Sequence, residues 1–144
     1  MSNKIFRGPF GRQAITISDR LVNGALLPGV MVVEDGADFS VAGAGGLGRL
    51  LALTSMDFVG QGPDTAYLDN DTGVAYRIEP DQEYSLRAVA ATYAIGTPLS
   101  TNAAGLLILA GADDRVIAFS QEAKTLGAIA RLDVVVANSY IAAS

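Results

Sequence analysis

Turn-forming residues recur through much of this chain, and closely spaced breaks of this kind favour strands over helices. Pro28-Gly29, Glu34-Asp35-Gly36, Asp69-Asn70-Asp71-Thr72-Gly73, Glu79-Pro80-Asp81, Thr101 to Gly105 and Gly111 to Asp114 each break the chain. Glycine supplies positive φ, proline fixes φ, and Asp and Asn tolerate the left-handed region. Between these breaks lie short runs rich in β-branched residues, or runs that alternate apolar and polar. Val30 to Val33 is one such run. Val74 to Ile78 is another, expected to pair with Thr65 to Leu68 across the DNDTG turn. In Glu83 to Ala90, Tyr84, Leu86 and Ala88 form one set and Ser85 and Arg87 the other. In Ile129 to Val136, Ala130, Leu132, Val134 and Val136 oppose Arg131 and Asp133. A period of two marks half-buried strands. Regular turn spacing points to an all-β chain, a small barrel or sandwich of jelly-roll-like kind. Two segments allow a different reading. Ser18-Asp19-Arg20-Leu21 can open a helical turn with Ser18 as N-cap, and Arg115 to Leu132 contains enough helix formers for a helix broken near Gly127. No internal repeat and no low-complexity linker is evident in the residues.

At 144 residues the chain suits one domain with a sizeable core. We divide it into an extended N-terminal arm, residues 1–18, and a single β-rich domain, residues 19–144. The arm carries Lys4, Arg7 and Arg12 and no acid, while the whole chain has a net charge of −5. Gly8, Pro9 and Gly11 interrupt regular structure there. Phe6 and Phe10 give the arm aromatic anchors that a purely solvated tail does not need. Half of the residues are hydrophobic and 17% are charged, which excludes disorder and predicts that a partner covers part of the surface. The net charge argues against nucleic-acid binding, which needs a basic footprint. The N-terminus lacks the apolar core of a signal peptide, and no apolar run reaches the length of a membrane span.

There is no cysteine and no histidine. Disulfides, thiolate metal sites, cysteine nucleophiles and every Ser-His-Asp arrangement are thereby excluded. The acids are scattered beside turns, and no nucleophile or oxyanion motif accompanies them, so the expectation is a protein that is not an enzyme and takes no cofactor. GAGGLG at residues 43–48 matches the G-x-G-x-x-G dinucleotide pattern. That fingerprint needs a strand before it and a helix after it, inside a βαβ unit. The segment after it, LGRLLALTSMDFVGQGP, is broken early, and the residues beyond are polar and turn-rich. A glycine turn between two strands accounts for the motif better. DNDTG resembles the start of a calcium loop, but Gly73 and Pro80 fall where that loop wants other residues. A hairpin turn is expected there.

Beyond these readings, the C-terminal half resembles the capsid decoration (cement) proteins of tailed bacteriophages. Arg87-Ala88-Val89 is followed by Ile95-Gly96-Thr97-Pro98-Leu99, then Gly105-Leu106, then Ile117-Ala118-Phe119-Ser120-Gln121-Glu122-Ala123, and finally Leu132-Asp133-Val134-Val135-Val136. The resemblance covers roughly residues 60–138 and departs at Thr97, where the family often has Asp. It implies a β-rich, non-catalytic protein, made in the host cytoplasm and carried on the virion capsid exterior. Such a protein binds the major capsid protein of the expanded shell, often as a homo-oligomer, a trimer or dimer, with no direct nucleic-acid or membrane contact. On this expectation the arm residues Lys4, Phe6, Arg7, Phe10 and Arg12 contact the capsid, since aromatics and arginine are the usual interface anchors. A head-fibre base or tail component is the structural alternative, and a dinucleotide or small-ligand binder using residues 43–48 is the third.

Overall fold

The computed structural model describes residues 5–8, 15–46, 49–55 and 64–141. They form thirteen strands and one 3₁₀ turn, so the chain is all-β. Five strands close a first barrel: β2 (Ile15–Val22), β3 (Met31–Asp35), β4 (Asp38–Val41), β5 (Leu51–Thr54) and β6 (Thr72–Arg77), in the order β2-β4-β3-β5-β6. The remaining large sheet also returns on itself. It contains β7 (Glu83–Ala88), β9 (Pro98–Thr101), β10 (Leu107–Leu109), β11 (Arg115–Ser120) and β13 (Ala130–Ile141). The order β7-β10-β9-β11-β13 ends on a strand that pairs back to β7. Closure removes the open edges that make flat sheets prone to aggregate. A small ribbon of β8 (Thr92–Tyr93) and β12 (Lys124–Thr125) lies in the connections of the second barrel.

The two barrels follow one plan. In each, the first strand pairs parallel to the third and antiparallel to the last: β2 with β4 and β6, and β7 with β10 and β13. The correspondence extends to register. Val32 faces Val41 and Leu51; Leu99 faces Leu109 and Ala118. Leu51 faces Arg77 and Ala118 faces Val136. Leu21 faces Thr72 and Arg87 faces Arg131. Even the turns before the second strands agree. Gly29 N–H donates to Leu53 O (2.7 Å) and Gly96 N–H to Ser120 O (2.8 Å), with φ of 94° and 85°. The chain is thus an internal repeat of a five-stranded barrel, contrary to the expectation from the residues. What repeats is pairing and burial, not residue identity.

The repeat has two adjoining cores. Val22, Val32, Phe39, Leu51, Leu53 and Ala75 fill the first barrel. Tyr84, Leu86, Leu99, Leu107, Leu132 and Val134 fill the second. Residues cross the joint in both directions: Leu106 belongs to the first core, and Met31, Ala52 and Tyr76 pack on the second. Backbone bonds knit it as well, from Arg87 N–H to Gly29 O (2.8 Å) and from Met31 N–H to Gly105 O (2.9 Å).

Three local expectations change. Ser18 to Leu21 is not a helical turn; it lies inside β2, whose ladder to β6 carries a bulge between Ile17 and Arg20. Pairing along a whole strand outweighs one N-cap. Thr65 to Leu68 forms no strand, because Tyr67 is turned into the first core, with its N–H on Leu26 O. The segment Arg115 to Leu132 is β11, β12 and the start of β13, with no helix.

The segment read as an arm is also built into the sheets where it is described. β1 (Phe6–Gly8) pairs antiparallel with β7, and Ile15 onward is β2. Ile5 is buried in the second core, and its carbonyl accepts from Ser85 N–H (2.7 Å). Apolar side chains at Ile5 and Phe6 make docking on the barrel more favourable than solvation.

Candidate functional site

Of the five arm residues, Phe6 and Arg7 lie within the described structure; Lys4, Phe10 and Arg12 lie outside the described residues. β1 continues the edge of β7, with Phe6 opposite Tyr84. The Phe6 ring meets Tyr84 edge-on at a centroid distance of 5.4 Å and Tyr76 at 5.8 Å, and these two tyrosines lie 6.0 Å apart. Offset and edge contacts of this kind suit the ring quadrupoles. Phe6 is therefore engaged by the chain itself.

Arg7 reaches across β7 to the outer face of the second barrel. Its Nη1 donates to Gln121 Oε1 (2.9 Å) and lies 3.7 Å from Glu83 Oε1, while Nε lies 3.6 Å from Asp133 Oδ1. Gln121 Nε2 in turn donates to Glu83 Oε1 (3.0 Å). The Arg7 side chain stays about a quarter exposed (27%). It holds β1 down through two carboxylates and remains reachable at its outer side.

Leu47 and Gly48 of the glycine loop lie outside the described residues, and the described part has no strand–loop–helix arrangement of the dinucleotide type. Ala44–Gly46 is a 3₁₀ turn, with Gly45 at φ 80°. The next element is β5, a buried strand. Among the described residues no helix follows the loop, and so none offers an N-terminus to a pyrophosphate. The loop is tied to the second barrel instead, as Thr101 Oγ1 donates to Gly43 O (2.8 Å).

The acids of the DNDTG turn serve the backbone. Asp69 Oδ1 accepts from Gly24 N–H (2.8 Å) and Asp71 Oδ2 from Leu68 N–H (2.9 Å). Asn70 takes φ 69°, as expected for a left-handed turn residue. Among the described residues, no group of three or more His, Cys, Asp or Glu side chains is arranged to hold a metal ion.

Large apolar side chains are exposed on both barrels. Leu21 and Leu68 lie beside the DNDTG turn of the first; Ile95, Leu109 and Ile129 lie on the second. Ile95 sits in the turn before β9 and is 74% exposed, and Leu68 is 70% exposed. Sequence reasoning assigned none of these to a surface, since an isolated Leu or Ile in a turn-rich stretch gives no periodic signal. The chain matches no protein-family model, and no curated protein matches it significantly.

Proposed function

We propose that this chain is a capsid decoration protein: a non-catalytic clamp that binds the outside of an expanded icosahedral shell and stabilises contacts between major capsid subunits. The observation that supports this reading best is the exposure of Leu68 and Ile95 on short turns of two closed barrels. Ordered loops on a rigid β-scaffold present apolar anchors at little entropic cost. The C-terminal resemblance supplies the partner. Binding the expanded shell alone would stabilise it by mass action.

The test is co-sedimentation of the full chain with expanded, empty cognate shells, counting copies per shell. Saturation at a symmetry-related number is expected. Leu68→Ser or Ile95→Ser should weaken binding without lowering the melting temperature, because neither side chain is in a core. Absence of binding to the shell would move the assignment to a head-fibre base or tail component, and measurable NADH affinity would move it to a nucleotide binder. Arg7→Gln is the matching test of the N-terminal contact. Deleting residues 1–12 is not, since that removes β1 and Ile5.

A further inference from the structure

Arg87 and Arg131 are direct partners on the β7–β13 ladder. Their neighbours Leu86 and Leu132 point into the second core, so the two arginines share the outer face of that barrel. Both are nevertheless buried, with 7% and 6% of their surface exposed. Like charges directly opposite on paired strands repel, and burying them is costly unless an anion and acceptors match them. Among the described residues, one carboxylate oxygen meets both: Asp64 Oδ1 lies 2.9 Å from Arg87 Nη2 and 3.7 Å from Arg131 Nε. Asp64 itself is mostly exposed, at 73% of its side chain.

That arrangement leaves donors without acceptors. Arg131 Nη1 is buried and has no hydrogen-bond partner; neither has the buried Ser85 Oγ, two residues from Arg87 on the same face of β7. Arg87 is meanwhile fixed in place, its Nε donating to Pro28 O (2.8 Å). A guanidinium fork matches oxyanions with two parallel bonds, and a single Asp64 oxygen 3.7 Å from Arg131 Nε does not provide them to Arg131.

We propose that Arg87 and Arg131 form a binding site for a small tetrahedral oxyanion, inorganic phosphate or sulfate, for which the Asp64 carboxylate is the internal competitor. Four oxygens on a tetrahedron can accept from both guanidinium groups and from Ser85 Oγ, where a carboxylate offers two oxygens in one plane. A dianion also balances both positive charges. The burial of both arginines favours a small free anion over a side chain carried by a partner. This site stands independently of the capsid reading.

The test is thermal melting and calorimetric titration of the full chain at fixed pH and ionic strength, exchanging chloride for phosphate, sulfate or acetate. A saturable rise in melting temperature with phosphate or sulfate is expected. Asp64→Asn should lower the half-saturating concentration about tenfold, as the competitor's charge is gone. Arg131→Gln should abolish the response, and Arg131→Lys should keep only part of it. A flat response in both the wild type and Asp64→Asn would overturn the proposal, even if Arg131→Gln failed to fold. Acetate acting as well as phosphate would overturn the tetrahedral selectivity, and a response that survives Arg131→Gln would place any anion elsewhere.

Discussion

Gly73 gives the sharpest test of the repeat. It sits in β6 at the position that Leu132 occupies in β13, since Arg20 faces Gly73 and Leu86 faces Leu132. Its backbone does not need glycine, for its φ is not positive. Its space does. A Cβ there would come within 2.5 Å of Val22 Cγ2, 3.4 Å of Phe39 and 3.7 Å of Leu53. The corresponding places in the second barrel hold Ala88, Leu107 and Ser120, all buried. One barrel thus combines Val, Phe, Leu and Gly where the other combines Ala, Leu, Ser and Leu, and the bulk has moved from three strands onto the fourth. Gly73→Ala alone should cost about 1–3 kcal/mol through overpacking, reduced by up to about 1 kcal/mol because alanine loses less backbone entropy than glycine. Val22→Ala alone should cost about 2–3 kcal/mol, from roughly 0.8 kcal/mol per buried methyl or methylene plus the cavity. The double variant should be no worse than Val22→Ala, because the new methyl occupies the space just vacated. Urea unfolding at 25 °C, read by circular dichroism with unchanged m-values, measures all three. A favourable coupling of about 1–2 kcal/mol is expected. Additivity within about 0.5 kcal/mol, or a Gly73→Ala variant more stable than the parent, would refute the packing argument.

Further predictions concern other parts of the fold. Gly105→Ala should destabilise by about 3 kcal/mol or more, since φ is 74° and the new Cβ would run into the Met31 carbonyl; Gly36→Ala, with φ 65° but open space around it, should cost only about 1 kcal/mol, and equal melting temperatures for the two would sink this distinction. Removing residues 1–8 should lower the melting temperature by roughly 10 °C, through loss of the buried Ile5, the Phe6 ring contacts and the Ser85–Ile5 backbone bond; an unchanged melt would mean that β1 adds nothing. Burial pushes the Tyr84 phenol well above its ordinary range, helped by Tyr76 and Glu79, and burial also raises Tyr93. Both phenols stay protonated in the fold after the unfolded chain has begun to ionise near a pH of about 10. Their contribution is therefore complete below about pH 10 and is lost as pH rises further, so tyrosinate absorbance and unfolding should rise together in an alkaline titration. Melting curves in calcium and in chelator should coincide, because Asp69 and Asp71 already accept from backbone N–H groups.

Much of the strand pattern was legible because alternation reports burial directly. Leu132, Val134 and Val136 point inward as their spacing predicts, as do Tyr84, Leu86 and Ala88. The Gly36 turn was legible through its chemistry: a glycine with positive φ beginning a two-residue connection between Asp35 and Asp38. The polar sets misled. Ser85, Arg87 and Arg131 alternate as a solvated face would, yet all three are buried; the Pro28–Gly29 turn of the first barrel lies against Ser85 and Arg87, and Asp64 meets both arginines. Period two locates the two faces of a strand and says nothing about what lies over the second one. The Arg87–Arg131 pair was hidden for the same reason, as it arises only when β7 and β13, far apart in the chain, take up their register. The repeat was hidden because core volume can be redistributed, as at Gly73 and Leu132, so that few matched positions, such as Gly29 and Gly96, keep their residue type.

The repeat also explains why the joint between the barrels is made only once. It depends on Met31 donating its N–H to Gly105 O, and on Gly105 lacking a Cβ that would strike the Met31 carbonyl. In the other half, Pro98 stands where Met31 does, as the register of Leu99 with Val32 requires, and proline has no N–H to donate. The matching acceptor hairpin has Ala37 in place of Gly105, and Ala37 O already takes the N–H of Leu21 (3.2 Å). Leu21 corresponds to Arg87, whose own N–H goes to Gly29 across the joint. A third barrel, from this chain's partner or a second copy, would find neither the donor nor the room. The backbone bond from Met31 to Gly105 that joins the two barrels therefore has no counterpart through which the same joint could propagate into a filament.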